Sequence, residues 1–237
     1  MDDVQTDRFL GGRLRLRQPA TGFRVGADTA LLAAAVPEGA RLMEAGCGVG
    51  GALLAVALRF PGARLTGIER EPDIAALARE NVAANGLAGR VDIIEADALG
   101  GGSPFDGVFC NPPYGEAGEG TPPLPARRHA HVTEASLDGW IAALSNRLVG
   151  GGQLTLVHRA DRLDALLAAL DGRLGGVTVF PVRPRADAPA TRVLVRARKG
   201  SRAPLALLRG LDLHDDSGAK FTPEADAIFR GEAAIVW

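Results

Sequence analysis

The chain has 237 residues, 46% of them apolar, and its 27 basic and 28 acidic side chains give a formal net charge of −1. This length and composition predict one domain with extensions and a full core, and the charge excludes a general attraction of the whole chain to polyanions. The longest apolar run, residues 30–36, is far too short to span a bilayer, and the acidic start shows no secretory signal. We therefore expect a cytoplasmic protein with no membrane partner.

The N-terminal residues predict a hairpin followed by a helix. Residues 8–17 predict the hairpin: the glycine pair 11–12 provides the turn, and after it arginine and leucine alternate with the two-residue period of a strand. Asp28 stands where the N-cap of a helix is expected, before the apolar residues 30–35, and Pro37 ends that helix.

From residue 41 onward, strands and helices alternate. Strands are predicted at 41–46, 64–69, 91–95, 106–110 and 153–158, and helices at 50–59, 73–84, 134–148 and 161–170. Two β-rich runs, 176–181 and 192–197, then predict a hairpin at the sheet edge, and the tail predicts a helix near 223–230. This alternation is typical of a parallel sheet covered by helices on both faces.

A glycine-rich turn follows the first strand of the alternating region. Gly46, Gly48 and Gly51 satisfy the pattern G-x-G-x-x-G, and Glu69 lies eighteen residues further on. Glycines let the backbone approach a nucleotide-like ligand, and an acid after the second strand can bind ribose hydroxyls. A dinucleotide site and a merely tight turn both fit this pattern. Glu44, two residues before the first glycine, favours a cofactor with an ammonium and a sulfonium group, namely S-adenosylmethionine.

Two smaller features accompany the turn. Asp97 follows the third strand at the edge where open α/β sheets bind ligands, so it either accepts the amine of the cofactor adenine or serves as a turn residue. Cys47 and Cys110 stand at strand ends, and we expect buried thiols there rather than a disulfide or a metal pair. No metal site is expected.

The fourth strand ends in Asn111-Pro112-Pro113-Tyr114. The nitrogen lone pair of an amino group on a heteroaromatic ring is delocalised into the ring, so the amine is a poor nucleophile. Two hydrogen-bond acceptors, one on each N–H group, would draw the nitrogen towards a pyramidal form and make the lone pair available for attack. The Asn111 side chain and the Pro112 carbonyl can supply these acceptors, because proline cannot donate, and Tyr114 offers a face for a base to stack on. Asn-Pro-Pro is also a common turn, but its position after the fourth strand favours methyl transfer to an amine.

With these motifs the chain resembles the N-P-P-[YFW] class of amino methyltransferases. Within that class it is similar to the bacterial family that methylates the adenine N6 beside the anticodon of valine tRNA. The scattered matches that carry the narrower resemblance are Gln18-Pro19, Gly22-Phe23-Arg24, Asp28, Leu31-Leu32, Arg162-Leu163, Pro181-Val182, Arg198-Lys199-Gly200 and Phe221-Thr222-Pro223-Glu224. Gly115 to Ala126, which is long and rich in proline, departs from the family pattern.

The resemblance implies a Rossmann-like class I fold, with a mostly parallel seven-stranded sheet, an antiparallel C-terminal hairpin, and a short N-terminal hairpin and helix. It implies one methyltransferase domain over 1–237, with an extension at 1–38, a core at 39–200 and a packed tail at 201–237. It also implies a tRNA substrate. The cofactor-binding residues expected from motif and resemblance together are Glu44, Gly46, Cys47, Gly48, Glu69, Arg70, Asp97, Ala98, Phe23 and Asp28, and the catalytic residues are Asn111, Pro112 and Tyr114.

Two arginine-rich strips could contact RNA phosphates or could be charged sheet edges. One contains Arg13, Arg15, Arg17 and Arg24, and the other contains Arg183, Arg185, Arg192, Arg196, Arg198, Lys199 and Arg202. Other acceptors of the same reaction, a protein glutamine amide or an rRNA guanine amine, stay open as alternatives. So does an RNA-binding module of this fold without turnover.

Overall fold

The structure is a computed structural model that describes residues 4–21, 24–112 and 136–237. Its strands are β1 (Val4–Phe9), β2 (Leu14–Pro19), β3 (Arg41–Ala45), β4 (Arg64–Glu69), β5 (Val91–Glu95), β6 (Phe105–Cys110), β7 (Leu148–Arg159), β8 (Leu174–Arg183), β9 (Arg192–Lys199), β10 (Ala206–Leu207) and β11 (Leu211–Asp212). Its helices are α1 (Ala27–Ala35), α2 (Gly51–Arg59), α3 (Pro72–Ala84), α4 (Leu137–Asn146), α5 (Leu163–Leu170) and α6 (Pro223–Phe229).

The main sheet confirms the predicted architecture. Its seven long strands lie in the order β8-β9-β7-β6-β3-β4-β5, and β9 runs antiparallel to both of its neighbours. The pairs among β7, β6, β3, β4 and β5 are parallel. The hairpin of β8 and β9 therefore closes one side of a mostly parallel sheet, as expected. The tail adds β10 and β11, which pair with the outer strand β8 and bring the sheet to nine strands.

Apolar side chains cover both faces of this sheet. On one face, buried residues of α1, α2 and α6 pack with alternate strand residues such as Leu65 and Phe109. On the other face, α4 and α5 pack with Met43, Val108 and Leu156. Two buried faces explain why the central strands are apolar along most of their length. Within the described ranges, no helix has the length and apolar character needed to cross a membrane.

The N-terminal hairpin and α1 differ in detail from the prediction. Strands β1 and β2 pair from Val4–Pro19 to Phe9–Leu14, so the hairpin is longer than residues 8–17. Helix α1 has Gly26 as its N-cap, and Asp28 lies inside the first turn. The predicted capping role of Asp28 is therefore wrong, although an acid in the first turn still stabilises a helix through its dipole.

Candidate active site

The register of the parallel strands brings the predicted motifs to one edge of the sheet. Ala45 pairs with Ile68 on one side and with Cys110 on the other. The residues that follow these three positions are Gly46, Glu69 and Asn111. The glycine turn, the acid of the second strand and the start of the N-P-P-Y motif therefore meet at the carboxyl ends of the strands, where open α/β sheets bind ligands.

The glycine turn depends on backbone conformations that favour glycine. Gly46, Gly48 and Gly50 have φ values of 66°, 55° and 89°, which strain residues with a Cβ atom. Gly51, which the sequence pattern emphasised, is needed for a different reason: a Cβ atom there would lie 2.6 Å from a methyl group of Val25. Among the described residues nothing lies within 4 Å of the Cβ position at Gly48, so the turn faces open space there.

Glu44 lies buried beside this turn, with 5% of its surface exposed. Its Oε2 atom has no hydrogen-bond partner among the described residues. Burial raises the pKa of Glu44 well above its usual range; the backbone of Leu53 opposes this shift and the carboxylate of Glu69 adds to it. A buried carboxyl oxygen without a partner is costly, and a bound ammonium group would satisfy it.

Glu69 holds the turn in place. Its Oε2 accepts a hydrogen bond from the backbone N–H of Gly48 at 2.9 Å, and its Oε1 accepts one from Glu71 at 3.0 Å. Each carboxylate oxygen has a second lone pair, so these bonds are compatible with further bonds to ribose hydroxyls. Arg70, the next residue, lies beside Glu71 with its Nε 3.3 Å from Oε1.

Asp97 and Ala98 lie after β5, the neighbour of β4. Asp97 is exposed, and its Oδ1 accepts a hydrogen bond from the N–H of Leu99 at 2.9 Å. The turn role that the sequence left open is thus present, and the adenine contact of Asp97 stays a prediction. Ala98 is buried on the α4 side of the sheet.

Both thiols are buried, as expected, and neither is in a disulfide. Burial raises the pKa of Cys47 and of Cys110 far above the ordinary thiol value, and the charge of Glu44 adds to both shifts. The two groups are therefore neutral at physiological pH and do not serve as nucleophiles. A Cβ atom at Gly67 would lie 2.7 Å from the Cys47 sulfur, so this thiol packs tightly against β4.

The acceptor motif is described only at its start. Asn111 is half-buried and Pro112 is buried. Tyr114, and Phe23 on the cofactor side, lie outside the described residues, so their roles stay predictions. Asp28 pairs with Arg192, with 3.0 Å between its Oδ2 and the arginine Nε, and its predicted contact with the cofactor also stays a prediction.

Two residues that the sequence did not single out contact the glycine turn. Asn81 of α3 is fully buried and donates a hydrogen bond from Nδ2 to the carbonyl of Val49 at 2.9 Å. Trp140 of α4 approaches from the other side, with its Cη2 atom 3.6 Å from the Cβ position at Gly46. An asparagine in a helix interior is unfavourable, and that was the available signal for Asn81.

Several side chains of the two arginine-rich strips make intramolecular contacts. Arg183 pairs with Asp212 at 2.6 Å, and the guanidinium of Arg196 lies 4.6 Å from the centre of the Trp237 ring. Lys199 donates to a backbone carbonyl near the end of α4 at 2.8 Å. In the first strip, Arg17 pairs with Glu80 and Arg24 with Asp7. Arg17, Arg24 and Arg185 stay about half exposed while they make such pairs, so contact of the strips with RNA phosphates stays a prediction.

The site fits S-adenosylmethionine. Glu44 has a carboxyl oxygen without a hydrogen-bond partner among the described residues, and it can bind the ammonium group. The glycine turn leaves space at Gly48, and the Glu69 carboxylate has lone pairs that can accept hydrogen bonds from ribose hydroxyls. Over the described ranges, no group of three or more His, Cys, Asp or Glu residues could hold a metal ion.

Comparison with known proteins agrees with this geometry. Residues 23–180 match the family model of the methyltransferase small domain. A tRNA1(Val) (adenine(37)-N6)-methyltransferase from Porphyromonas gingivalis is 32% identical over 216 residues, which cover 84% of each chain. A release factor glutamine methyltransferase from Deinococcus radiodurans is 31% identical over 171 residues, with 68% of this chain and 59% of that protein covered.

A solved structure supports the methyltransferase fold. A protein from Agrobacterium tumefaciens, described as a predicted O-methyltransferase, superposes with a TM-score of 0.74 at 32% identity and covers 88% of this chain and 98% of that chain. From these matches and the geometry of the site, the chain belongs to the methyltransferase small domain family and to the family of the bacterial tRNA1(Val) (adenine(37)-N6)-methyltransferases.

Proposed function

We propose that the protein methylates the exocyclic N6 amine of an adenine in the anticodon loop of valine tRNA, with S-adenosylmethionine as the methyl donor. The observation that carries this proposal is the meeting of the glycine turn, Glu69 and Asn111 at one sheet edge. A tRNA substrate implies action in the cytoplasm, and we propose that the whole chain, 1–237, works as one domain.

The proposed cofactor residues divide by chemistry. The Glu44 carboxylate would accept the ammonium group, the turn at Gly46, Cys47 and Gly48 would allow close backbone approach, and Glu69 would accept the ribose hydroxyls. Around the adenine, Asp97 would accept a hydrogen bond from the exocyclic amine, Ala98 and Arg70 would lie beside the ring, and Phe23 and Asp28 would cover the cofactor. When bound, S-adenosylmethionine supplies an electrophilic methyl group on a positively charged sulfur.

Asn111 and Pro112 would then prepare the acceptor. Their two carbonyl oxygens would accept hydrogen bonds from the two N–H groups of the adenine amine and turn its lone pair out of conjugation. The nitrogen would release one of these two protons to water after it has gained the methyl group. Tyr114 would stack on the base and fix its plane. Alignment of this kind can contribute about 7–11 kcal/mol to the barrier reduction, so the site needs no nucleophile from the protein, in agreement with the two buried, neutral thiols.

A protein glutamine amide is the second candidate acceptor, because it has the same two N–H bonds and a release factor glutamine methyltransferase is among the relatives. That relative is covered over only 59% of its length, whereas the tRNA enzyme is covered over 84%. The greater coverage favours the tRNA acceptor.

The test compares two methyl acceptors and the effect of one substitution at Asn111. Radiolabelled methyl transfer is measured with an unmodified valine tRNA transcript and with a release factor, for the wild type, Asn111→Ala and Asn146→Ala. Asn146 is exposed at the end of α4 and serves as the control. We expect transfer to tRNA that falls about 100-fold or more in Asn111→Ala, with cofactor affinity retained. Near-normal turnover of Asn111→Ala would refute its role, and transfer to the release factor alone would refute the tRNA substrate.

A further inference from the structure

A cavity of about 520 Å³ opens at the carboxyl end of β7, outside the cofactor site. Its walls are formed by residues 159, 161 and 190–192, at the end of β7 and the start of β9. This volume is within the range of pockets that bind small molecules. Its lining contains two arginines, Arg159 and Arg192, which face each other as partners in the pairing of β7 with β9.

Carboxylates fix the direction of both guanidinium groups. Asp161 accepts from Nε of Arg159 at 2.9 Å, and Asp28 accepts from Nε of Arg192 at 3.0 Å. The Arg192 side chain is one-third exposed and the Arg159 side chain nearly half exposed. These pairs hold the arginines at the wall of the cavity instead of letting them extend into solvent. A held guanidinium loses less entropy when it binds an anion.

The described residues around the cavity include three arginines, Arg159, Arg162 and Arg192, and two aspartates, Asp161 and Asp28. His158 is buried on β7 directly before Arg159. Burial lowers the pKa of His158, and the positive charges of Arg159, Arg162 and Arg192 lower it further, whereas Asp161 opposes them. The imidazole is therefore neutral at physiological pH, so the charged groups of this region are the arginines and their aspartate partners.

The cavity lies close to the position proposed for the acceptor. Cys110 at the end of β6 pairs with Leu156 of the adjacent strand β7. Arg159 is three residues further along β7, which is about 10 Å beyond that pair. Asn111 follows Cys110 in the same direction. A nucleotide whose base contacts Asn111 would therefore have its backbone near Arg159.

We propose that this cavity binds a phosphate of the RNA backbone next to the target adenosine, with Arg159 and Arg192 as its anion-binding residues. This proposal rests on the proposed function. Asp161 accepts from both Nε and Nη2 of Arg159, but a guanidinium group has five N–H donors, so it can bind a phosphate oxygen beside its aspartate partner. Because the chain as a whole has a net charge of −1, attraction to RNA must come from local clusters of arginine, and this cluster includes Arg192 of the second arginine-rich strip.

The first experiment compares Arg159→Gln with Arg41→Gln. Arg41 is also paired with an aspartate, Asp106, and is about half exposed, but it lies at the start of β3, at the opposite edge of the sheet. We expect Arg159→Gln to raise the KM for tRNA about tenfold while the Kd for S-adenosylmethionine changes less than about twofold. The salt slope of binding to a labelled anticodon-loop RNA should fall by about one. Arg41→Gln should match the wild type in all three quantities.

The second experiment changes the RNA and leaves the protein intact. A neutral methylphosphonate replaces, in turn, each phosphate that flanks the target adenosine. At one position, we expect the methylphosphonate to weaken RNA binding by the wild type about tenfold. The same methylphosphonate should weaken binding by Arg159→Gln less than about twofold, because that variant has already lost the contact with this phosphate.

The outcomes separate the two proposals. If the wild type methylates tRNA but Arg159→Gln has the same KM and salt slope, or if the effects of substitution and methylphosphonate multiply, the phosphate site is refuted and the proposed function stands. If the wild type transfers methyl groups only to a protein glutamine, the proposed function fails and the phosphate site fails with it.

Discussion

Glu44 is buried beside the glycine turn, and one of its oxygens has no partner among the described residues. Burial raises its pKa well above the usual range, so the folded protein binds a proton at pH values where the unfolded chain, with a glutamate pKa of about 4.3, has released it. The stability of the cofactor-free protein should therefore fall as the pH rises from about 4.3 towards the folded-state pKa.

Glu44→Gln should separate stability from binding. Because a neutral amide replaces a group that is costly to ionise, we expect the cofactor-free variant to melt about 2 °C or more above the wild type at pH 7, with a flatter dependence on pH. Without the carboxylate, affinity for S-adenosylmethionine should fall about tenfold. Calorimetry and scanning fluorimetry between pH 5 and 7 measure both. Glu38→Gln, at an exposed position, is the control, and a parallel loss of stability and affinity in Glu44→Gln would contradict the assignment.

The sequence predicted the cofactor motif because its residues follow strand ends in a parallel sheet. The glycine pattern was incomplete: the third left-handed residue, after Gly46 and Gly48, is Gly50, whereas Gly51 is constrained by Val25. That constraint could not be predicted, since it depends on how the segment before α1 packs on α2. The N-P-P-Y motif was recognised from its residues and from its position after the fourth strand, and of these residues the structure describes Asn111 and Pro112.

Among the larger elements, α3 connects the N-terminal hairpin to the site. Asn81 accepts a hydrogen bond from the N–H of Arg17 at 2.7 Å and donates to the carbonyls of Arg17 and Val49, both at 2.9 Å. Asn85 makes the analogous pair with Arg15 at 3.1 and 2.8 Å. The two side-chain amides thus pair with β2 as a neighbouring strand would.

Asn81→Ala should weaken both the hairpin and the turn. It leaves buried backbone groups without partners, so we expect a loss of about 2–4 kcal/mol in the free energy of unfolding, together with weaker binding of S-adenosylmethionine because Val49 belongs to the turn. Urea unfolding and calorimetry measure the two effects. Asn85→Ala, which contacts only the hairpin and α3, should lose about 1 kcal/mol and keep its cofactor affinity. Equal effects of the two substitutions would rule out a specific link to the turn.

The long elements were predictable and the short ones were not. Strands β3 to β9 have apolar runs and turn residues at their ends. Strands β10 and β11 have two residues each, which is too few for any periodicity, and they form because β8 offers an unpaired edge. The sequence also showed Arg192 and Arg196 as members of an arginine-rich strip, but their partners, Asp28 and Trp237, are distant in sequence and could not be predicted.

At the scale of the whole molecule, the C-terminal residue packs on the N-terminal helix. The indole N–H of Trp237 donates to the carbonyl of Ala35 at 2.9 Å, its ring meets Phe180 edge-on at 6.1 Å, and Arg196 covers it. The backbone N–H of Ile235 also donates to Ala34 at 2.9 Å. From these contacts we predict that extension, core and tail unfold together.

Trp237→Ala tests that expectation. We expect a loss of about 2–4 kcal/mol in the free energy of unfolding, and a single transition in which near-UV and far-UV circular dichroism coincide. Val236→Ala, at a position that is 84% exposed, should change stability by less than about 0.5 kcal/mol. Separate transitions, or a Trp237→Ala variant as stable as the wild type, would argue against one cooperative unit.

Mass spectrometry of nucleosides from purified valine tRNA tests the central claim most directly. The tRNA is isolated from a strain that lacks this gene and from the same strain complemented with the wild type or with Asn111→Ala. We predict that N6-methyladenosine is absent in the deletion strain, returns with the wild type and does not return with Asn111→Ala. Unchanged N6-methyladenosine after deletion, or full recovery with Asn111→Ala, would contradict the account.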